Sequence, residues 1–378
     1  MKKTLLCTSA LALTSITGAA NAVPITAGAV TMNVSGYYTT TFAYVDVTGN
    51  NAALAGADFS GVDLFTNAEI WFKPSMTLDN GIKIAVDVQL EAGSNTNTDQ
   101  IDESYMTISG NFGKVIIGSE NSVGYKMTVA APDVSPLYAQ SSSLTGYVPY
   151  SAAGAGADLF RRTLGTTYIE NNGNNDAQRI SYFSPRFSGL QVGISYARDS
   201  GQVNGAVNNN AVITDIVDIA ANYSGSFNGV DINASARYGT ANAPAGAANP
   251  EIWGGGLTVG YAGFTLGGSY AEQNDSPTGG GVPNFRDGNS YDIGLGYSNG
   301  PMTYSFTYFR GKNADNAATN TTGFTSEELK TYVLAAKYKV ADNFSVSAFA
   351  ANTEFTSNNP AEGNIEGTVV GIGASFNF

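Results

Sequence analysis

Histidine is absent from the chain of 378 residues, and cysteine occurs once, at Cys7. Histidine is the most common general base of hydrolases, and a single cysteine has no intrachain partner with which to form a disulfide. The chain therefore lacks the means for a Ser-His-Asp triad, for a histidine metal site and for a disulfide framework. A phospholipase or protease that depends on histidine is disfavoured for the same reason.

Charged residues are also scarce, and those present are mostly acidic. They make up 13% of the chain, whereas a soluble domain typically carries about 25%. When Lys2 and Lys3 are taken from the 18 basic residues, 16 basic residues stand against 31 acidic ones. Such a balance argues against a nucleic-acid partner and favours cations near the protein.

Long apolar runs are missing as well. The run from Leu5 to Ile16 follows two lysines and leads into Ala20-Asn21-Ala22, which is the pattern of a secretory signal with a small-residue cleavage site. No run reaches the roughly 20 apolar residues that a spanning helix needs. We therefore expect a signal peptide over 1–22, cleaved after Ala22, and one exported domain over 23–378.

What the sequence has in abundance is alternation between apolar and polar residues. Side chains of a strand point to opposite faces in turn, and the C-terminal TVVGIGASFNF shows this pattern. Its apolar face carries Val370, Ile372, Ala374, Phe376 and Phe378, and the other face is mostly small or polar. Alone, this division suits either the edge of a soluble β-sandwich or a membrane strand with lipid on one side and water on the other.

The number of such segments and their connections favour the membrane strand. Short turns with Gly, Asn, Ser or Pro alternate with long polar loops, and aromatic residues lie at the ends of the apolar faces, as in a membrane barrel. We predict an all-β, transmembrane, 16-stranded antiparallel β-barrel, closed by its first and last strands. The predicted strands are 31–46, 63–78, 81–92, 101–110, 112–119, 177–187, 189–199, 214–225, 229–240, 251–262, 263–273, 289–299, 301–312, 328–340, 342–355 and 365–378.

One connection, about 120–176, is far longer than ordinary hairpin loops of about 2–5 residues. It carries apolar residues such as Met127, Val129 and Leu137. Because such residues are stable only when packed, we expect this loop to fold inward and to constrict the lumen.

With these features together, the chain resembles the general porins of Gram-negative bacteria, of the trimeric 16-stranded type. The likeness is carried by the lysine-rich signal, by ISGNFGKVIIG (108–118), by YFSPRFSGL (182–190) and by the terminal Phe378, and it covers nearly the whole chain after the signal. It implies an outer-membrane homotrimer for the passive diffusion of ions and small hydrophilic solutes, without a cofactor. It also implies as partners the lipid bilayer, lipopolysaccharide and the barrel assembly machinery, which would read Phe376 and Phe378 as an insertion signal.

The resemblance further implies a transverse field at the constriction, with acids on the loop and bases on the wall. The acidic side would come from Glu120, Asp133 and Asp158. The basic side would come from Lys73, Lys83 and Arg179 on the wall and from Arg161 and Arg162 where the loop returns. The sequence departs from the family because Asp102 and Ser119 stand where members often carry Arg, and because Glu69 and Asp87 add acids to the wall. This departure predicts a preference for cations.

Other interpretations remain open. The loop acids can be ordinary solvated acids, and Arg161 and Arg162 can serve only to tie the loop to nearby carboxylates. The segment EAGSNTNTDQIDE (91–103) offers oxygen ligands for Ca²⁺, although its spacing matches no known calcium loop. A substrate-specific channel would need a row of aromatic residues in the lumen, and inward-phased aromatics are few: Phe65, Trp71 and Phe349. A barrel with a structural or adhesive role, rather than a channel, is a further alternative for the whole protein.

Overall fold

The structure is a computed structural model. It describes residues 25–27, 29–93, 100–137, 147–150, 162–170, 176–201, 205–244, 248–277, 285–315, 326–358 and 362–378. Within these ranges no helix is long and apolar enough to cross a membrane. The helical elements described are a 3-10 turn, Ala52–Leu54, and one turn of α-helix, Val123–Lys126 (α1).

Antiparallel strands make up most of the described chain. A short strand, Ile25–Ala27 (β1), pairs with the start of the next one. The other sixteen are Val30–Gly49 (β2), Gly61–Thr77 (β3), Lys83–Glu91 (β4), Ile101–Gly110 (β5), Gly113–Ser119 (β6), Gln178–Phe183 (β7), Leu190–Ala197 (β8), Thr214–Phe227 (β9), Val230–Asn242 (β10), Glu251–Tyr261 (β11), Phe264–Pro277 (β12), Phe285–Asn299 (β13), Met302–Asp315 (β14), Ser326–Ala341 (β15), Phe344–Ser357 (β16) and Ile365–Asn377 (β17).

These sixteen strands form one closed barrel. Each strand from β2 to β17 pairs with its neighbours in sequence, and β17 pairs with β2 from Ile365 opposite Gly49 to Asn377 opposite Tyr37. Closure leaves no unpaired edge, which is the condition for strands in a membrane. The predicted 16-stranded antiparallel barrel is confirmed.

The strand bounds differ from the predicted ones mainly at the ends. The prediction ran the strand from 177 to 187, but β7 ends at Phe183, because Pro185 has no N–H to donate to a neighbouring strand. Several strands instead extend further than predicted into the long loops. For example, β13 begins at Phe285 rather than at 289.

The two faces of the barrel follow the predicted alternation. On β17, Val370 and Ile372 are 51% and 61% exposed on the outer face, whereas Val369, which precedes Val370, is fully buried on the inner face. Apolar side chains on the outer face of a closed barrel belong in lipid.

The barrel has a short-turn end and a long-loop end. At the short-turn end Asn228 and Gly229 connect β9 to β10 with φ values of 50° and 79°, which is typical of the two-residue turns that suit a twisted hairpin. The connections at the other end are much longer.

Candidate functional site: the pore constriction

The long connection between β6 and β7 lies against the inner wall, as its apolar composition predicts. Its outgoing segment, 120–137, is held by inward-facing side chains of β10, β13 and β14. The backbone N–H of Val129 donates to Ser235 Oγ on β10 at 2.8 Å, and that of Val134 donates to Ser305 Oγ on β14 at 3.0 Å. Between them, the N–H of Ala131 donates to Asp292 Oδ1 on β13 at 2.8 Å.

The returning segment, 162–170, follows the same wall nearer the long-loop end. Thr163 Oγ1 donates to Asn313 Oδ1 at 2.8 Å, and Ser290 Oγ donates to the carbonyl oxygen of Thr166 at 2.9 Å. On β14, Asn313 is eight positions nearer the long-loop end than Ser305, which the outgoing segment contacts. The two segments of the loop therefore lie side by side on the wall, at different heights along the barrel axis.

Close contact with the wall depends on small residues. A Cβ at Gly256 of β11 would lie 1.8 Å from the carbonyl oxygen of Val129. A glycine at this position thus lets the loop backbone rest directly on the strand.

The far part of the loop reaches β15, β16, β17 and β2. The hydroxyls of Tyr147 and Thr41 share a short hydrogen bond, and the Tyr147 ring lies 5.9 Å from the ring of Phe65 on β3. Loop and wall residues form one buried apolar cluster, which includes Leu137, Val148, Leu164, Val333, Phe349 and Val369. The described segments of the loop thus contact the inner wall from β8 round to β2, and they also reach Phe65 on β3 and Glu103 on β5.

A buried ion pair anchors the start of the loop. Lys126 Nζ lies 2.7 Å from Glu120 Oε1, and the Glu120 side chain is fully buried. Burial alone would raise the pKa of Glu120, but Lys126 and the hydrogen bonds from Glu103 and from the Asn121 N–H outweigh it and lower that pKa. Likewise, burial disfavours the charged form of Lys126, but the negative charge of Glu120 raises the pKa of the ammonium above its usual value.

Two further contacts hold the loop in place. Asn121 Nδ2 donates to Glu103 Oε1 on β5 at 2.5 Å. Arg237 on β10 pairs with Asp218 on β9 and donates to the carbonyl oxygen of Ile169 in the returning segment. Both members of the Arg237 and Asp218 pair are buried.

The inner wall formed by β3, β4 and β5 carries a group of acids. One carboxylate oxygen from each of Glu69, Glu91 and Asp102 lies within 4.8 Å of the others, and all three side chains are half-buried. Glu69 also accepts hydrogen bonds from Tyr37 Oη at 2.7 Å and from Trp71 Nε1 at 2.6 Å. These oxygens are of the kind that a hard cation prefers. The predicted calcium segment contributes Glu91 and Asp102 to this group, whereas residues 94–99 lie outside the described ranges.

The basic residues predicted to line one side of the constriction do not lie together. Lys73 pairs with Asp87 at 3.1 Å and lies over the ring of Trp71 at 4.3 Å. Lys83 is exposed at the short-turn end, away from the loop. Arg179 and Arg162 are largely buried, on β7 and at the start of the returning segment.

The acidic residues predicted for the other side of the constriction do not lie together either. The structure places Glu120 in the loop anchor rather than on the pore surface. Asp133 is half-buried, and its Oδ1 accepts a hydrogen bond from the N–H of Ser135 at 2.8 Å. Asp158 and Arg161 lie outside the described residues.

The predicted insertion signal lies at the closing seam. Phe376 is exposed on the outer face, and its ring centroid lies 6.1 Å from that of Phe378. The backbone of Phe378 pairs with Gly36 on β2 through two hydrogen bonds of 2.9 and 3.1 Å.

Three residues that hold the loop in place were not among those predicted: Lys126, Asp218 and Arg237. The alternation in VDINASARY places Arg237 on the inner face, so its phase was visible in the sequence. No pattern in the sequence, however, marks Lys126 as the partner of Glu120 or Asp218 as the partner of Arg237.

Comparison with known proteins agrees with this geometry. A family model described as Gram-negative porin matches residues 8–359. Outer membrane porin protein 32 of Delftia acidovorans is 28% identical over 275 residues, which cover 71% of this chain and 66% of that protein. An uncharacterized protein of Rickettsia bellii is 29% identical over 150 residues, which cover 36% of this chain and 32% of that one.

Solved structures show the same fold at low sequence identity. A loop-deletion mutant of OmpT of Vibrio cholerae has a TM-score of 0.61 at 13% identity and covers 93% of this chain and 100% of its own. An anion-selective porin from Comamonas acidovorans has a TM-score of 0.60 at 19% identity, covering 92% of this chain and 100% of its own. The closed barrel, the loop packed inside it and the match over most of the sequence show that this chain is an outer-membrane protein of the Gram-negative porin family.

Proposed function

We propose that the protein is an outer-membrane channel for the passive diffusion of ions and small hydrophilic solutes, with a preference for cations. The observation that carries this proposal is the acid group of Glu69, Glu91 and Asp102 on the wall that faces the pore. A narrow passage lined by charges of one sign raises the local concentration of ions of the opposite sign.

The basic residues around the constriction do not balance these acids. Lys73 is paired with Asp87, and Lys126 is paired with the buried Glu120. Arg237 is likewise held by Asp218 behind the loop. Among the described residues, the basic side of the transverse field is therefore weaker than the resemblance implies.

The sign of the selectivity is the decisive measurement, because one protein of the same fold is described as anion-selective. The purified protein should be inserted into planar bilayers under a salt gradient, and the reversal potential should show cation preference. The triple variant Glu69→Gln, Glu91→Gln, Asp102→Asn should move the reversal potential toward zero. The matched control is Glu354→Gln, which changes an exposed acid on the outer face. An anion-preferring wild type would overturn the proposed preference.

A substrate-specific channel is the alternative, and the position of the inward aromatics argues against it. Phe65 contacts Tyr147 of the loop, and Phe349 is buried in the apolar cluster under the loop. Of the inward aromatics predicted from the sequence this leaves Trp71, which forms an edge-to-face pair with Tyr37, with ring centroids 5.8 Å apart, beside Glu69. One pair is too little for a continuous aromatic path, so a competition assay should show no saturable binding of sugars.

Assembly and partners belong to the same proposal. A homotrimer is supported by the family and by the OmpT structure described as a trimer form. The apolar outer face fits a lipid bilayer with lipopolysaccharide, and Phe376 and Phe378 would be read by the barrel assembly machinery. A heat-modifiability gel would test the trimer, because a folded trimer migrates as a larger band that heating converts to monomer.

A further inference from the structure

We propose that the pore is polarised along its axis, with lysines at the short-turn mouth and acids at the constriction, and that its current is therefore asymmetric with voltage. The inference rests on the proposed channel function. It adds a second charged zone to the pore, made of Lys83, Lys114 and Lys337.

The three lysines lie near the short-turn end of the inner face. Lys83 is the first residue of β4, and Lys114 follows the first residue of β6. Lys337 precedes the last residue of β15, Ala341, by four positions. Each is in phase with inward-facing residues of its own strand, which are Asp87 on β4, Ile116 on β6 and Val333 with Ala335 on β15.

Within the part of the chain that the structure describes, none of these three lysines forms an ion pair. Lys83 and Lys337 are exposed, and the ammonium of Lys114 lies 4.5 Å from the ring centroid of Phe183. By contrast, Lys73 pairs with Asp87 and Lys339 pairs with Asp342 at 2.8 Å.

Among the described residues, the charge at this mouth is positive in balance. Asp79 in the turn after β3 and Asp231 near the start of β10 are acids at the same end. Arg186, in the turn between β7 and β8, adds a further cation there, where it donates to the carbonyl oxygen of Gly189 at 2.6 Å.

The sign reverses toward the middle of the barrel. Glu69 and Glu91 lie opposite each other on β3 and β4, and Asp102 joins them. Nearer the long-loop end, Asp63 is exposed on the same inward face of β3. An ion that crosses the pore therefore meets an acidic zone and a lysine zone in series.

Two such zones in series conduct unequally in the two directions. When the long-loop side is positive, cations from the acidic zone and anions from the lysine zone move toward each other and accumulate between the zones. The opposite voltage draws both away and depletes that region, so the current is smaller. The effect requires that the fixed charges be poorly screened, which holds near 0.1 M salt, where the Debye length is about 10 Å, and fails near 1 M, where it is about 3 Å.

Single-channel recordings at equal and opposite voltages test this directly. The measured quantity is the larger current divided by the smaller, so the orientation of insertion need not be known. For the wild type we expect a ratio of at least about 1.5 in about 0.1 M KCl, falling to about 1 in about 1 M KCl as screening increases.

Variants then assign the effect to the lysines. The triple variant Lys83→Gln, Lys114→Gln, Lys337→Gln should give a ratio near 1 at both salt concentrations. The single variant Lys337→Gln should lower the ratio. Its matched control Lys312→Gln, which removes a lysine in phase with the outward-facing Tyr304 and Phe306 of β14, should leave it unchanged.

The outcomes separate this inference from the proposed function. A cation-preferring wild type with equal currents at low salt, or a triple variant that keeps the wild-type ratio, overturns the axial polarity and leaves the channel proposal intact. Anion preference measured in the same bilayers with a ratio above 1 overturns only the proposed selectivity. A folded protein without conductance overturns both.

Discussion

Glu120 and Lys126 form an ion pair inside the barrel, with Lys126 Nζ 2.7 Å from Glu120 Oε1, at the point where the long loop leaves β6. One member is fully buried and the other is largely buried. The pair lies against β5, because Lys126 Nζ is 5.8 Å from the ring centroid of Tyr105 and the neighbouring Asn121 donates to Glu103.

Removal of one partner should release the start of the loop. Lys126→Met leaves the buried carboxylate of Glu120 without its counter-charge, which costs about 3–5 kcal/mol when a buried pair is broken in this way. We expect an unsteady single-channel current and faster proteolysis within 120–176. The double variant Glu120→Gln, Lys126→Met removes the stranded charge and should be less affected than the single variant. Equal behaviour of the two variants would contradict the anchor role.

The same pair predicts how the loop responds to pH. Because the pKa of Glu120 is lowered in the folded protein, its stabilising effect is complete above the ordinary glutamate pKa and is lost as the pH falls through the lowered value. Because the pKa of Lys126 is raised, its effect is complete below the ordinary lysine pKa and is lost as the pH rises through the raised value.

The ion pair should therefore be fully formed between about pH 4.3 and about pH 10.4, which are the ordinary pKa values of glutamate and lysine. Current noise recorded across this range should stay constant and should increase in more acidic solution. In Glu120→Gln the acid transition at this site should disappear. A wild-type transition near neutral pH that Glu120→Gln removes would contradict the lowered pKa.

The close contact at Gly256 makes a steric prediction. In Gly256→Ala the new methyl group would lie 1.8 Å from the carbonyl oxygen of Val129, so the outgoing segment must move away from β11. We expect an altered conductance with the barrel still folded, as judged by heat modifiability. Gly260→Ala on the same strand is the control, because its Cβ would meet nothing nearer than 3.5 Å. Unchanged conductance in Gly256→Ala would show that the loop does not rest on this strand.

The outer face of β15 allows a test of membrane depth. Leu334 and Val340 both point outward and are 59% and 51% exposed, but Leu334 lies mid-strand and Val340 next to the short turn. An arginine should cost about 2–4 kcal/mol at the middle of the bilayer and about 0–1 kcal/mol near the interface. Folding titrations in vesicles should therefore show a larger loss for Leu334→Arg than for Val340→Arg. Equal losses would contradict the predicted position in the membrane.

The loop explains why the site was harder to predict from the sequence than the fold. Glu120 was a reasonable candidate for the pore surface, since it begins an apolar loop with few charges. Its ion pair with Lys126 and its hydrogen bond with Glu103, which in turn accepts from Gln89 and Asn121, hold it in a buried position instead. Lys83 has the predicted inward phase, yet its place at the start of β4 puts it at the mouth rather than at the constriction.

The sequence by itself determined the number of strands, their phase and the inward fold of the long loop. A period of two is a local property that each strand carries in its own residues, and an apolar loop must pack on the nearest available surface. The tertiary structure decided which charges remain in the pore. Contacts such as that between Ala131 and Asp292, 161 positions apart in the chain, depend on barrel closure and loop path, which bring distant residues together and leave Glu69, Glu91 and Asp102 facing the lumen.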